Sequence, residues 1–150
     1  MKPRRKRPAR VRETPPAYAT QRAGRLLLDS HVWLWWRTLD PRLSPGTRAA
    51  ITDAHEVCLS VASAWELAIK GQLGKLKIPR DLDLAAEFAR DGFVPVTITI
   101  EHALAAASLP PIHKDPFDRM LVAQARVEGL TLVSADPILS RYDVPILDLD

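Results

Sequence analysis

Three short runs constrain this chain more than any other feature: Leu26-Leu27-Leu28, Val57-Cys58-Leu59 and Leu130-Thr131-Leu132-Val133. The first is uniformly apolar, does not alternate with polar residues and ends in an acid, Asp29. Such a run suits a strand covered on both faces, as strands are in a parallel sheet. Stretches of helical character separate the runs, and strands alternating with helices argue for a layered α/β fold. The expectation is one domain with a mostly parallel sheet of about five strands flanked by helices.

In chain order, Ser30 is positioned to cap a helix over residues 31–37, which holds three tryptophans. Trp33 and Trp36, at i and i+3, are expected on one side, leaving Trp35 for a partner surface. Ser44-Pro45 begins a helix through about Ala54, and Glu56–Ser60 is a strand. Ser63-Ala64-Trp65-Glu66 fits a capping box opening a third helix, with Lys70 four residues beyond Glu66 for an ion pair. Glu66 also shares a face with Ile69 and Leu73, which places it near the interior. A helix near Leu82–Arg90 stops at Gly92. Pro95 puts the strand at 93–97 at or near an edge, because proline cannot donate to the ladder. Thr99 caps a helix over Ile100–Leu109, and Pro110-Pro111 separate it from the next. Asp115 is an N-cap followed by Pro116 at the first helical position, the usual opening of a helix. Asp118 then shares a face with Leu121, Val122 and Ala125, so a carboxylate heads a buried stripe, which is costly unless something positive meets it. A last short strand covers 144–147.

The 150 residues are 47% hydrophobic, enough for one core and too few for a second domain. A single cysteine, Cys58, excludes an internal disulfide and reads as a buried, inert thiol. No apolar run approaches a membrane span, and the N-terminus lacks the apolar core of a secretory signal, so a cytoplasmic protein is expected. The chain has 21 Lys and Arg against 18 Asp and Glu, yet nine of those bases and one acid, Glu13, fall within residues 1–25, leaving 12 bases and 17 acids beyond. The high pI therefore describes an appendage. Residues 1–24, rich in charge and proline, are expected to be a disordered basic tail, able to hold RNA phosphates by counterion release, and residues 25–150 the folded domain.

On such a sheet ligands bind beyond the strand C-termini. Asp29 ends the first strand, Asp136 follows the fourth, and Glu66 and Asp118 open helices at the same edge. No matching basic cluster accompanies them. Carboxylates gathered in a half-buried site repel by several kcal/mol, which favours protonation or capture of a divalent cation. Oxygen ligands point to Mg²⁺ or Mn²⁺ over zinc, and hard cations held by a few acids suit phosphodiester chemistry.

The stretches Leu26-Leu27-Leu28-Asp29-Ser30-His31-Val32-Trp33, Ser63-Ala64-Trp65-Glu66-Leu67-Ala68-Ile69-Lys70, Leu73-Gly74-Lys75-Leu76, Asp115-Pro116-Phe117-Asp118-Arg119 and Ser134-Ala135-Asp136 together resemble the PIN-domain ribonucleases of the VapC toxin type. They keep the family's order over about residues 25–147. The resemblance implies an acidic metal site of Asp29, Glu66, Asp118 and Asp136, supported by hydrogen bonds from Ser30 and Ser134. It further implies a Mg²⁺-dependent endoribonuclease, commonly a homodimer, inhibited by a small antitoxin protein. Asp115 lies in the same signature and is the alternative to Asp118, although capping suits it better. Ser30 stands where the family often has threonine, and the basic tail lies outside the pattern. Lys70, Lys75, Lys77, Lys114 and Arg119 are candidates for contact with RNA. His31 and His113 lie near motif acids and are given no catalytic role. A rival reading is a receiver-like phosphoacceptor domain, which also gathers acids and Mg²⁺ at strand ends. Glu66 and Asp118 stand on helix starts, which argues against it.

Overall fold

The computed structural model describes residues 24–147 and 149. The basic tail expected at residues 1–24 thus lies, apart from Gly24, outside the described residues. The elements follow the order β1 (Arg25–Leu28), α1 (Ser30–Thr38), α2 (Pro45–Asp53), β2 (Glu56–Ser60), α3 (Val61–Gln72), α4 (Leu84–Arg90), β3 (Val94–Val96), α5 (Ile100–Ser108), α6 (Pro116–Glu128), β4 (Thr131–Val133), a 3-10 turn (Pro137–Arg141) and β5 (Ile146–Leu147). The five strands form one sheet in the order β3-β2-β1-β4-β5, and every pairing is parallel. The strand with Pro95 is an edge, as its missing donor requires.

Alternation along β1 shows why its residues are all apolar. Leu26 and Leu28 enter one core with Trp33, Ile51, Leu59, Leu67 and Phe88, whereas Leu27 enters a second with Leu121, Val122, Ala125 and Leu132. β2 divides the same way, Val57 and Leu59 to the first core and Cys58 to the second. Both faces of the sheet are therefore covered, by α1 to α4 on one side and by α5, α6 and the 3-10 turn on the other. Fully burying each leucine contributes about 1.5–3 kcal/mol. Burial also pushes the Cys58 thiol up to about 11, so it is inert as expected.

Two helix starts differ from expectation. Asp29, not Ser30, caps α1, its carboxylate accepting from the backbone N–H of His31, and Ser30 is the first helical residue. Ser60, not Ser63, caps α3 by accepting from Ala62 N–H, so Ser63 lies inside the helix and forms no capping box. Glu66 is buried with Ala62, Ser63 and Leu67, while Ile69 and Leu73, expected on its face, are exposed. Trp35 is half-buried with the Arg42 guanidinium over its ring, and the tryptophan open to solvent is Trp65. Among the described residues no helix is long and apolar enough to cross a membrane.

Candidate metal centre

Parallel strands and short connections bring the loops after β1, β2 and β4 to one edge, where the first turn of α6 joins them. Asp29 is fixed there twice: its backbone N–H continues the ladder to Val133 at 3.0 Å, and its Oδ1 caps α1 at 2.8 Å from His31 N. Its Oδ2 accepts from Ser134 Oγ at 2.7 Å. Ser134 Oγ in turn accepts from the backbone N–H of Asp136 at 3.1 Å, tying the loop after β4 to the end of β1. Burial would raise the Asp29 carboxyl, but the hydrogen bonds from His31 and Ser134 outweigh it and hold the group below the usual carboxylate range. The carboxylate in turn holds the His31 imidazole above its ordinary value.

Glu66 is buried on α3, where Ser30 Oγ donates to its Oε1 and Lys70 Nζ lies 3.2 Å from its Oε2. Ser30 and Ser134 thus each hold one site acid. Asp115 caps α6 through Phe117 N–H at 2.8 Å, and Asp118 projects from the first turn. Asp136 caps the 3-10 turn through Oδ1, which accepts from Ile138 N–H at 2.9 Å.

Among the described residues, one close grouping contains a histidine that the sequence placed near the motif acids and gave no catalytic role. His113 Nε2 lies 2.9 Å from Asp136 Oδ2 and 3.1 Å from Asp118 Oδ2, and the three side chains offer ligand atoms within 4.8 Å of one another. The signal available was position: His113 stands two residues before the cap of the acid-bearing helix. Asp29 and Glu66 stand outside that grouping but act on it by charge. Burial first, then the neighbouring carboxylates of Asp29, Asp115 and Glu66, push the Asp118 carboxyl up to about 7, with His113 opposing. A buried carboxyl lifted by its neighbours marks unmet negative charge, and hard oxygens of this kind fit Mg²⁺ or Mn²⁺.

The basic candidates separate. Lys70 is half-buried beside Glu66, and Lys75, Lys77 and Lys114 are exposed. Arg119 turns inward: its guanidinium donates to the carbonyls of Pro110, His113, Ala106 and Leu109 at 2.9, 3.3, 2.8 and 3.0 Å. With its donors committed to the backbone, it serves the fold and is no longer a candidate for RNA. At the rim, Trp65 and Phe117, neighbours in sequence of Glu66 and Asp118, meet edge to face with ring centroids 5.4 Å apart.

Residues 26–145 match the PIN domain family. The chain is 34% identical over 125 residues to Ribonuclease VapC22 of Mycobacterium tuberculosis, spanning 80% of this chain and 93% of that protein. Its fold is similar to that of VapBC2 from Rickettsia felis bound to a DNA fragment from their promoter, with a TM-score of 0.65, 12% identity, and coverage of 84% of this chain and 99% of the other. It is also similar to a toxin-antitoxin complex from Klebsiella pneumoniae, with a TM-score of 0.62, 12% identity, and coverage of 83% and 98%.

Proposed function

Because the chain belongs to the PIN domain family, we propose that it is a divalent-metal-dependent endoribonuclease, the toxin of a toxin–antitoxin pair. The observation that carries this is the crowding of acids at one sheet edge, where burial and the charges of Asp29, Asp115 and Glu66 push Asp118 up to about 7 and no lysine or arginine answers the charge on it. PIN-domain nucleases generally use divalent metals, and Asp29, Glu66, Asp118 and Asp136 would hold Mg²⁺ or Mn²⁺ here. When bound, such an ion lowers the pKa of water and stabilises charge developing on phosphoryl oxygens.

The chain's own residues do the rest. Ser134 and the start of α1 fix both oxygens of Asp29, and Ser30 fixes one oxygen of Glu66, so the acids meet a cation without reorganising. Asp115 holds the first turn of α6 and thereby the direction of Asp118. Lys70, and Lys75 beyond the end of α3, offer positive charge to the substrate backbone flanking the acids. Relatives named as ribonuclease and as toxin–antitoxin complexes support RNA as substrate and a small antitoxin protein as inhibitor. The exposed apolar side chains of Trp65 and Ile69 on α3 and of Leu73 just past its end, with Ile100 and Leu104 on α5, support a homodimer. The family match leaves the receiver-like reading without support. Purified protein incubated with total RNA and Mg²⁺ should cleave it, and chelation should stop cleavage until metal is restored. Cleavage that continues under complete chelation would overturn the proposal.

A further inference from the structure

His113 has the position of a ligand and the wiring of something else. Its Nδ1 lies 3.0 Å from the backbone N of Asp115. A backbone N–H can only donate, so Nδ1 is an acceptor and carries no proton. The ring's proton is therefore on Nε2, the atom facing Asp136 at 2.9 Å and Asp118 at 3.1 Å. A ring nitrogen that carries a proton cannot bind a metal. Exchanging the tautomer would set two N–H groups against each other at the cap of α6.

The ring's backbone is also held. The His113 N–H donates to the hydroxyl of buried Tyr142 at 2.8 Å, that hydroxyl donates to Pro110 O at 3.2 Å, and Arg119 binds the His113 carbonyl. Tyr142, Arg119 and Asp115 thus form a bracket whose outcome is one N–H aimed at the acids. A carboxylate oxygen has two lone pairs, so Asp136 Oδ2 can accept this N–H and still face a cation.

We propose that His113 is a positioning residue of the metal centre and not one of its ligands: locked in one tautomer by Asp115, it uses Nε2–H to hold Asp136 in place beside Asp118. The inference rests on the reading that these acids hold a divalent cation. Removing a group that orients metal-binding side chains typically weakens metal binding tenfold or more. Glutamine can place an N–H near the Nε2 position; alanine cannot.

The test uses the full chain and Mn²⁺ alone. In metal-free protein, ¹⁵N spectra of the labelled imidazole should show an unprotonated Nδ1 and a protonated Nε2. Pulsed EPR of the Mn²⁺-loaded protein should show no directly coordinated nitrogen. His113→Ala should weaken Mn²⁺ binding about tenfold, and His113→Gln should stay within about threefold of the parent. A nitrogen bound to Mn²⁺, a proton on Nδ1, or a glutamine variant as weak as the alanine variant overturns the proposal. If His113→Ala does not fold, the spectra and the glutamine variant decide. A parent protein that binds no Mn²⁺ overturns the metal reading itself, and the tautomer, which needs no metal, tells that failure apart from this one.

Discussion

Asp118 and Asp115 sit three residues apart and carry opposite burdens. Asp115 satisfies an open N–H at the start of α6, and removing such a cap costs about 0.5–2 kcal/mol. Asp118 heads a stripe made by Leu121, Val122 and Ala125, under pressure from Asp29, Asp115 and Glu66. With its carboxyl pushed up to about 7 from an ordinary 3.8, the folded metal-free chain binds more protons than the unfolded one between those values. Its stability therefore falls as pH rises through that window. Asp118→Asn should leave metal-free stability unchanged below pH 4, raise it by roughly 1–4 kcal/mol at pH 8, and abolish cleavage. Asp115→Ala should lower stability at both pH values while keeping measurable metal-dependent activity. Chemical denaturation at pH 4 and pH 8 beside an RNA assay checks both. The reverse pattern would make Asp115 the ligand. The pairing of apolar and acidic residues on one helix face was legible in sequence. The position of His113 near the motif acids was legible too, but its contact with Asp136 was not, because nothing local says that the loop before α6 folds back to meet the residue after β4.

At the scale of elements, strands and most helices followed from pattern, and the failures have a physical cause. Ser63 and Ser60 both precede plausible helix positions, and only the end of β2 at Ser60 decides which one caps α3. Glu66 is interior beside Ala62, Ser63 and Leu67, not beside Ile69 and Leu73, so its burial follows from the packing of α3 and not from the neighbours that suggested it. Arg119 looked like a surface cation because a sequence does not show the carbonyls left open between α5 and α6. It binds four of them, so Arg119→Ala should lower stability by roughly 2–4 kcal/mol. Lysine should not rescue it, since one ammonium cannot reproduce the planar fork. Thermal melts of both variants check this, and an unchanged melting temperature would contradict it. The exposed stripes on α3 and α5 give a separate expectation. Trp65→Glu combined with Leu104→Glu should halve the particle mass measured by light scattering, and a parent protein that is already monomeric would remove the dimer from the account.

Taken whole, the molecule is a sheet buried on both faces whose strand ends carry one acidic site. The parallel direction of the strands was legible because uniformly apolar runs suit strands covered on both faces, and Leu26, Leu27 and Leu28 divide between two cores as that requires, whereas the order β3-β2-β1-β4-β5 needed coordinates. Topology led to the expectation that Asp29, Glu66, Asp118 and Asp136 share one edge, and the family resemblance to the hydrogen bonds of Ser30 and Ser134, while the close approach of His113 to Asp118 and Asp136 needed coordinates. We propose that these four acids form one divalent-cation site that serves RNA hydrolysis. Its most direct test measures Mn²⁺ binding and RNA cleavage side by side in the parent chain and in Asp29→Asn, Glu66→Gln, Asp118→Asn and Asp136→Asn. The parent should bind Mn²⁺ and cleave only with it, and each variant should lose affinity and cleavage together. Parent activity that persists in chelator, or variants that cleave at the parent's rate with Mn²⁺ binding gone, would contradict it.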